Sequence, residues 1–375
     1  MTPARPAPRS SRAPWRRAAR ALLVAGLAAL APACGGDDAG EGAYLVTDMQ
    51  GCRAELRAPS GEVLRSWEED AALRWQRARL LPDGDLVVLS TWKRPRGNTT
   101  YVVRYDPAGA ERWRTQVSGQ HDLLEADDGE LWVITRGRRR LADEDPPRRI
   151  RDNQITRLDR EGAIGDWLSL YDVLAAAPDF AWRAVDAVPM DGPPADVVLP
   201  EGDVADLLQA CSLQRLPAGS FGAAGGDPVL VCLRSQGRVV VVDVDRQDLL
   251  WSWGADELVA PVAAAYGDGL VHVLDGGTGD GPDGRLLSVD PDDGRVVRTW
   301  SGPEGAGFST PVTGSLETLP GGGLLVGLGD EGLALVLSPS GEERWRGEVR
   351  GAGGGAAPLR VQRVDAAGVA ALPDA

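Results

Sequence analysis

The sequence is poor in lysine, histidine and cysteine. Lys93 is the only lysine among 40 basic residues, and the 375 residues hold only two histidines, His121 and His272. The four cysteines, Cys34, Cys52, Cys211 and Cys232, include no C-x-x-C pair, which argues against a structural zinc site; no metal is expected. Three cysteines lie beyond Cys34, so they cannot all pair. Cys211 with Cys232 is one bridge that an oxidising compartment would allow. Basic surface is also scarce. The formal charge is −15, and removing the first 33 residues, with six arginines and no acid, takes it to −21 with histidine neutral. Nucleic acid is therefore excluded as a partner, and anionic lipid is not expected to hold the folded surface, since both need basic surface.

Long hydrophobic runs are missing too. The longest, Ala21–Ala33, has 13 residues, short of the roughly 20 needed to cross a bilayer. It follows an arginine-rich stretch and precedes Cys34 and a Gly/Asp segment. This is the order of a secretory leader. Leu30-Ala31-Pro32-Ala33-Cys34 resembles a bacterial lipobox, although Leu30 stands one place early and Pro32 is atypical. The expectation is a lipoprotein signal peptide over 1–33, lipidation of Cys34, and a tether over 34–42. The protein would then sit in the cell envelope as an exported lipoprotein, at the periplasmic face or cell surface, with the lipid as its membrane contact.

Helical periodicity is nearly absent, apart from "LYDVLAAAPDFAW". A β repeat takes its place: a Gly turn, two Val/Leu-rich strands, a D-x-x-G-like turn, then tryptophan. It ends at Trp67, Trp113, Trp167, Trp251, Trp300 and Trp345. Successive tryptophans lie 45 to 54 residues apart, except for 84 between Trp167 and Trp251. Four short strands in about 45 residues is one propeller blade. The fold class is therefore all-β: a six-bladed β-propeller over 43–370, with a tail over 371–375. The six tryptophans should fill the core between blades, each with a partner for its indole N–H. The tail "APLRVQRVDAAGVAAL" reads as one more strand that pairs with the first copy and closes the ring. Insertion loops are expected at about 137–152, a charged stretch, and at about 171–209.

The stretches "LLPDGDLVVLS", "QHDLLEADDGELWVI", "DNQITRLDREGAIGDWLSLYDVL" and "GDEGLALVLSPSGEERW" resemble the bacterial arylsulfotransferase-type propellers. There is weaker similarity to quinoprotein-like propellers built from PQQ-like repeats. The first resemblance implies an active site on the propeller axis. There a histidine takes a sulfuryl group from an aryl sulfate and passes it to a phenol, while other histidines, an asparagine and an arginine hold the sulfate oxygens. Imidazole is nucleophilic at neutral pH, and guanidinium forks suit oxyanions. His121 in "QHD" matches the first histidine, and Arg234 in "VLVCLRS" fits the arginine. In "DLLQACSL", however, Gln209 stands where histidine is expected and Cys211 where asparagine is. The nucleophilic position falls at Pro261, beside Val262, and proline cannot attack sulfur. His272 sits mid-strand and should flank the blade.

Two functions follow. One is a catalytically degenerate, lipid-anchored propeller acting as a binding or scaffold module. It would hold a protein partner on a rim, and leave its channel open to a small anionic ligand. The other is an active sulfotransferase that uses His121 and Arg234. A quinone-dependent dehydrogenase would need an acid cluster and a stacking tryptophan on the axis, and no such set stands out. No cofactor is expected.

Overall fold

The computed structural model describes residues 42–372 except 96, 127–128, 142–147, 186–203, 224, 279–283, 301, 303–306 and 351–355. The chain divides into two units, Met1–Gly35 and Gly36–Ala375, and every described residue belongs to the second. The leader, Cys34 and the tether before Gly42 lie outside the described residues, as do most of the long insertion and the end of the tail.

Val/Leu-rich strands broken by Asp, Gly and Pro turns build six sheets arranged as blades, antiparallel except that Val204–Ala205 adds a short parallel strand to the third strand of blade 3. Going outward from the axis, blade 2 runs Arg74–Leu80, Leu86–Arg94, Gly97–Tyr105, Glu111–Val117. Blade 3 runs Gly119–Glu125, Leu131–Leu141, Arg148–Leu158, Ile164–Ser169. Blade 4 runs Ala210–Arg215, Pro228–Leu233, Arg238–Asp243, Asp248–Trp253. Blade 5 runs Pro261–Gly267, Leu270–Asp275, Arg285–Val289, Val296–Trp300. Blade 6 runs Gly314–Thr318, Leu324–Leu328, Leu333–Leu337, Glu343–Glu348.

Blade 1 joins the two ends of the described chain. Its inner strand is Leu359–Val364, paired antiparallel with Ala43–Asp48, and Arg53–Arg57 and Val63–Glu68 complete it. The C-terminal strand thus closes the ring and removes an open edge.

The core is divided among the seams between blades. Separate buried clusters join blades 1 and 2 around Leu56 and Trp75, 2 and 3 around Leu89 and Val133, and 3 and 4 around Ile134 and Val231. Others join 4 and 5 around Val241 and Val273, 5 and 6 around Leu274 and Val326, and 6 and 1 around Val336 and Val361. The second strand of each blade is apolar on both faces because it is covered by a neighbour on each side.

Three expectations need correction. The charged stretch at 137–152 is not simply a loop: Gly137–Leu141 pairs with Arg148–Asp152 as an extension of the blade 3 hairpin. Arg139 holds Asp152 at 3.2 Å and Asp172 at 2.5 Å, and Ile150 is buried with Ala205 and Leu207, so the charges serve a packed hairpin. The long insertion begins with a helix, Leu170–Ala176, capped by Ser169, whose hydroxyl accepts from Asp172 N at 3.1 Å. The third correction concerns the tryptophans. Trp67 is buried, Trp113, Trp251, Trp300 and Trp345 are half-buried, but Trp167 is 56% exposed. A glycine in the outer turn of the next blade receives Trp113 (Gly162) and Trp300 (Gly341), and Gly294 of blade 5 receives Trp253. For Trp167 the next blade offers Gln247, a side chain held at φ 59°. Among the described residues the buried Trp67 Nε1 has no hydrogen-bond partner, unlike the expectation.

Candidate functional site

The six inner strands run the same way along the axis, so one mouth lies where they begin and the other where they end. An innermost strand has one edge that no strand pairs. Here the preceding blade supplies side-chain acceptors for its backbone N–H groups. Gln76 Oε1 accepts from His121 N at 2.8 Å, and Asp122 Oδ2 from Leu213 N at 3.1 Å. Ser212 Oγ accepts from Ala264 N at 3.2 Å, and Gln214 Oε1 from Tyr266 N at 2.5 Å. Ser315 Oγ accepts from Val361 N at 3.0 Å, Glu317 Oε2 from Arg363 N at 2.8 Å, and Gln362 Oε1 from Leu80 N at 3.0 Å. Blade 5 offers Ala263 and Ala265 at this face, and Val262 packs on Gly314 of blade 6 instead.

A charged network spans the axis between these latches. Arg77 Nε lies 3.2 Å from Asp122, and its Nη2 lies 3.4 Å from Glu317. Its Nη1 donates to the Val361 carbonyl at 3.4 Å. Arg79 Nε donates to Leu123 O at 2.6 Å, and its other nitrogens lie within 3.8 Å of Asp122 and 3.7 Å of Glu317. Burial alone would raise the Asp122 carboxyl, but Arg77, Arg79 and Arg360 outweigh it and hold its pKa below the ordinary value. Burial, then Arg79, pulls Arg77 down to about 10, so it stays charged at neutral pH.

The residues singled out by the arylsulfotransferase-type resemblance gather at the mouth where the strands begin. Arg234 N donates to Gln209 O at 3.2 Å, and Ser235 Oγ to Gln209 Oε1 at 3.3 Å. Arg234 Nη1 donates to the Ala260 carbonyl at 3.2 Å. Cys211 Sγ lies 3.5 Å from the Pro261 carbonyl and 3.6 Å from that of Cys232; all three described cysteines are free thiols, so the Cys211–Cys232 bridge is not formed. His121 reaches this group indirectly. Gln120 Nε2 donates to Asn153 Oδ1 at 3.0 Å, which also accepts from Ala210 N at 2.8 Å. His121 and Gln209 both adopt left-handed backbone, at φ 61° and 48°. Such strain in non-glycine residues is held only by surrounding structure. Burial, then the Arg360 guanidinium, pushes the His121 pKa down to about 4, against an upward pull from Asp206. The imidazole is therefore neutral at pH 7. His272 lies in the second strand of blade 5, away from the axis, with Nδ1 2.8 Å from Ser288 Oγ.

Sequence reasoning missed Asp206 and Asn153. Asp206 Oδ1 accepts from Gln209 N and from Asn153 Nδ2, each at 3.0 Å. Both residues stood in segments that carried the resemblance. It also missed Arg77, Arg79, Glu317 and Arg360, whose only signal was charge alternating with apolar residues in "RWQRARL" and "LRVQRV". Among the described residues no three His, Cys, Asp or Glu side chains converge in a way that could hold a metal ion.

A closed ring of six blades, each built on four antiparallel strands around such an axis, defines a β-propeller. Residues 182–371, just over half of the chain, match the family described as outer membrane protein assembly factor BamB, and the chain belongs to this PQQ-like repeat family. Of the two resemblances in the sequence, the PQQ-like one is thus borne out. No curated protein matches the sequence. Among solved structures, a protein of unknown function from Bacteroides caccae is similar at 12% identity and TM-score 0.54, covering 86% of this chain and 98% of that one. A streptogramin B lyase is similar at 10% identity and TM-score 0.46, covering 86% and 90%. BamB from Moraxella catarrhalis is similar at 16% identity and TM-score 0.36, covering 84% and 75%. These likenesses concern the fold alone.

Proposed function

We propose that the protein is a non-catalytic propeller of the cell envelope, anchored by a lipid on Cys34, that holds a partner protein on one rim. One observation carries the reading. Pro261 stands at the place where the sulfotransferase-type resemblance puts its nucleophile, and its carbonyl faces the Cys211 thiol. Arg234 directs Nη1 to the backbone of Ala260 rather than into the channel. His121 is left without a second imidazole near it. The channel's polar side chains serve blade-to-blade latches, which supports a scaffold in place of an enzyme.

Family membership supports the same role, since the family carries the name of an outer membrane protein assembly factor. The rim at the mouth where the inner strands begin is the favoured surface. Leu73, Trp182 and Val312 are exposed there, next to the starts of the inner strands or, for Trp182, beside Arg183, which donates to Ala255 and Leu258 ahead of blade 5. Several exposed apolar side chains on one rim favour a contact surface.

In-cell crosslinking of the full-length protein tests the reading, with photoreactive residues placed at Val312 on the rim and at Val297 on an outer blade edge. Discrete adducts from position 312, lost when Leu73 and Trp182 are changed to serine, are expected. Adducts from neither position would remove the rim reading. Release from the membrane fraction in Cys34→Ala tests the anchor. Aryl sulfate turnover that depends on His121 and Arg234 would favour the sulfotransferase instead.

A further inference from the structure

Arg360 is the polar side chain on the axis that the latches and ion pairs leave out. It lies on the inner strand of blade 1 and is buried. Its one hydrogen bond among the described residues runs across the channel to blade 4, from Nη2 to the Cys211 carbonyl at 3.5 Å. Among the described residues it makes no ion pair, and its Nε is buried without a hydrogen-bond partner. Asp122 acts on it only through space; a buried charge with no contact partner is costly, so a group in this state points to an anion that completes it.

The surroundings fit an anion. Arg360 lines a cavity of about 690 Å³ that opens at the mouth where the inner strands end. This lies within the usual range for small-molecule sites. Arg77 and Arg79 share that cavity. Their charge is met by Asp122 and Glu317, so three guanidiniums face two carboxylates at its floor. The remaining charged groups lie nearer the mouth. Arg215 pairs with Asp227 at 2.6 Å, Asp365 caps a short helix through Gly368 N at 2.8 Å, and Glu125 and Arg363 complete the lining. His121, whose pKa Arg360 helps to lower, adds no charge at neutral pH. Within a strongly acidic protein, this is a local pocket with one positive charge to spare.

We propose that this cavity binds a small molecule through a single oxyanion group, a carboxylate or a phosphate, received by the Arg360 guanidinium with Arg77 and Arg79 beside it. A guanidinium fork matches two oxygens of such a group. The site is distinct from Arg234 and from the opposite rim, so it stands whether or not the scaffold reading does.

Thermal shift and calorimetric titration of the purified protein test it, at constant ionic strength with chloride as the balancing anion. The probes are acetate and inorganic phosphate. The expected result is saturable stabilisation by at least one, with the stronger probe telling carboxylate from phosphate. Arg360→Gln should lose binding about tenfold or more, while Arg234→Gln keeps it. Arg360→Lys keeps the charge but loses the fork, and should also weaken binding. If Arg360→Gln fails to fold, the lysine variant decides: unchanged affinity would overturn the proposal. So would the absence of saturation with either probe, or equal binding by Arg360→Gln.

Discussion

The indole of Trp113, on the outer strand of blade 2, lies against Gly162 in the outer turn of blade 3, and its Nε1 donates to the Arg160 carbonyl at 2.9 Å. A Cβ at Gly162 would come within 2.6 Å of the ring, and the residue is held at φ 83°. Blade contact therefore depends on the missing side chain. Gly162→Ala should cost about 2–4 kcal/mol, combining left-handed strain with overpacking. Gly61, at φ 88° with nothing within 4 Å, is the control and should cost only the strain, about 1 kcal/mol. Denaturant midpoints at unchanged slope would measure both. Equal losses would contradict the packing account.

At Gln247 the same turn carries a side chain in the left-handed region. Gln247→Gly should raise stability by about 0.5–1 kcal/mol by removing that strain. Trp167→Ala should cost less than Trp113→Ala, because the Trp167 ring is mostly in solvent. A lower melting temperature for Gln247→Gly would count against this reading of the turn.

Asp122→Asn keeps an oxygen for Leu213 N but removes the carboxylate nearest to Arg77. Breaking a buried pair in this way should cost about 3–5 kcal/mol. The folded pKa of Asp122 lies below its unfolded value. Its contribution is therefore complete above the ordinary value of about 3.9 and is lost as pH falls through the folded pKa. The gap between wild type and variant should be constant near neutrality and narrow in acid. A gap that does not depend on pH down to the acid limb would argue against the ion pair.

Both histidines are held neutral. Desolvation is the largest cause at each, and each pKa is lowered to about 4. With only two imidazoles in the chain, NMR can follow each one separately. Between about pH 4 and 6.5 the unfolded state binds more protons, so stability should fall as pH drops through that window. His272→Gln should flatten part of this slope. Ordinary imidazole titration near 6.5 at either histidine would contradict this desolvation.

Much of the ring was legible because its signals are local. Each tryptophan closes a copy, the turn glycines are spaced with it, and the C-terminal "LRVQRV" alternates as a strand should. The exposure of Trp167 is not legible in its own repeat, because burial of a blade tryptophan is set by the turn of the next blade, where a glycine receives Trp113 and Trp300. The hairpin over 137–152 reads as a charged loop in the sequence, because its arginines mask the pairing of Ile150 with Ala205 of the insertion. The axial site was hardest to foresee. Arg77, Asp122, Glu317 and Arg360 come from four blades, and only closure of the ring brings them together. Gln209, Cys211, Arg234 and Pro261 were singled out only through the arylsulfotransferase-type resemblance, and the fold places them together at the seam of blades 4 and 5.

The central claim is that this propeller has no working nucleophile on its axis. The most direct measurement is sulfuryl transfer from a chromogenic aryl sulfate to phenol, by the purified protein and by His121→Ala. The account predicts that neither exceeds the uncatalysed rate across several donors and acceptors. Turnover by the wild type that disappears in His121→Ala would contradict it and make His121 the nucleophile.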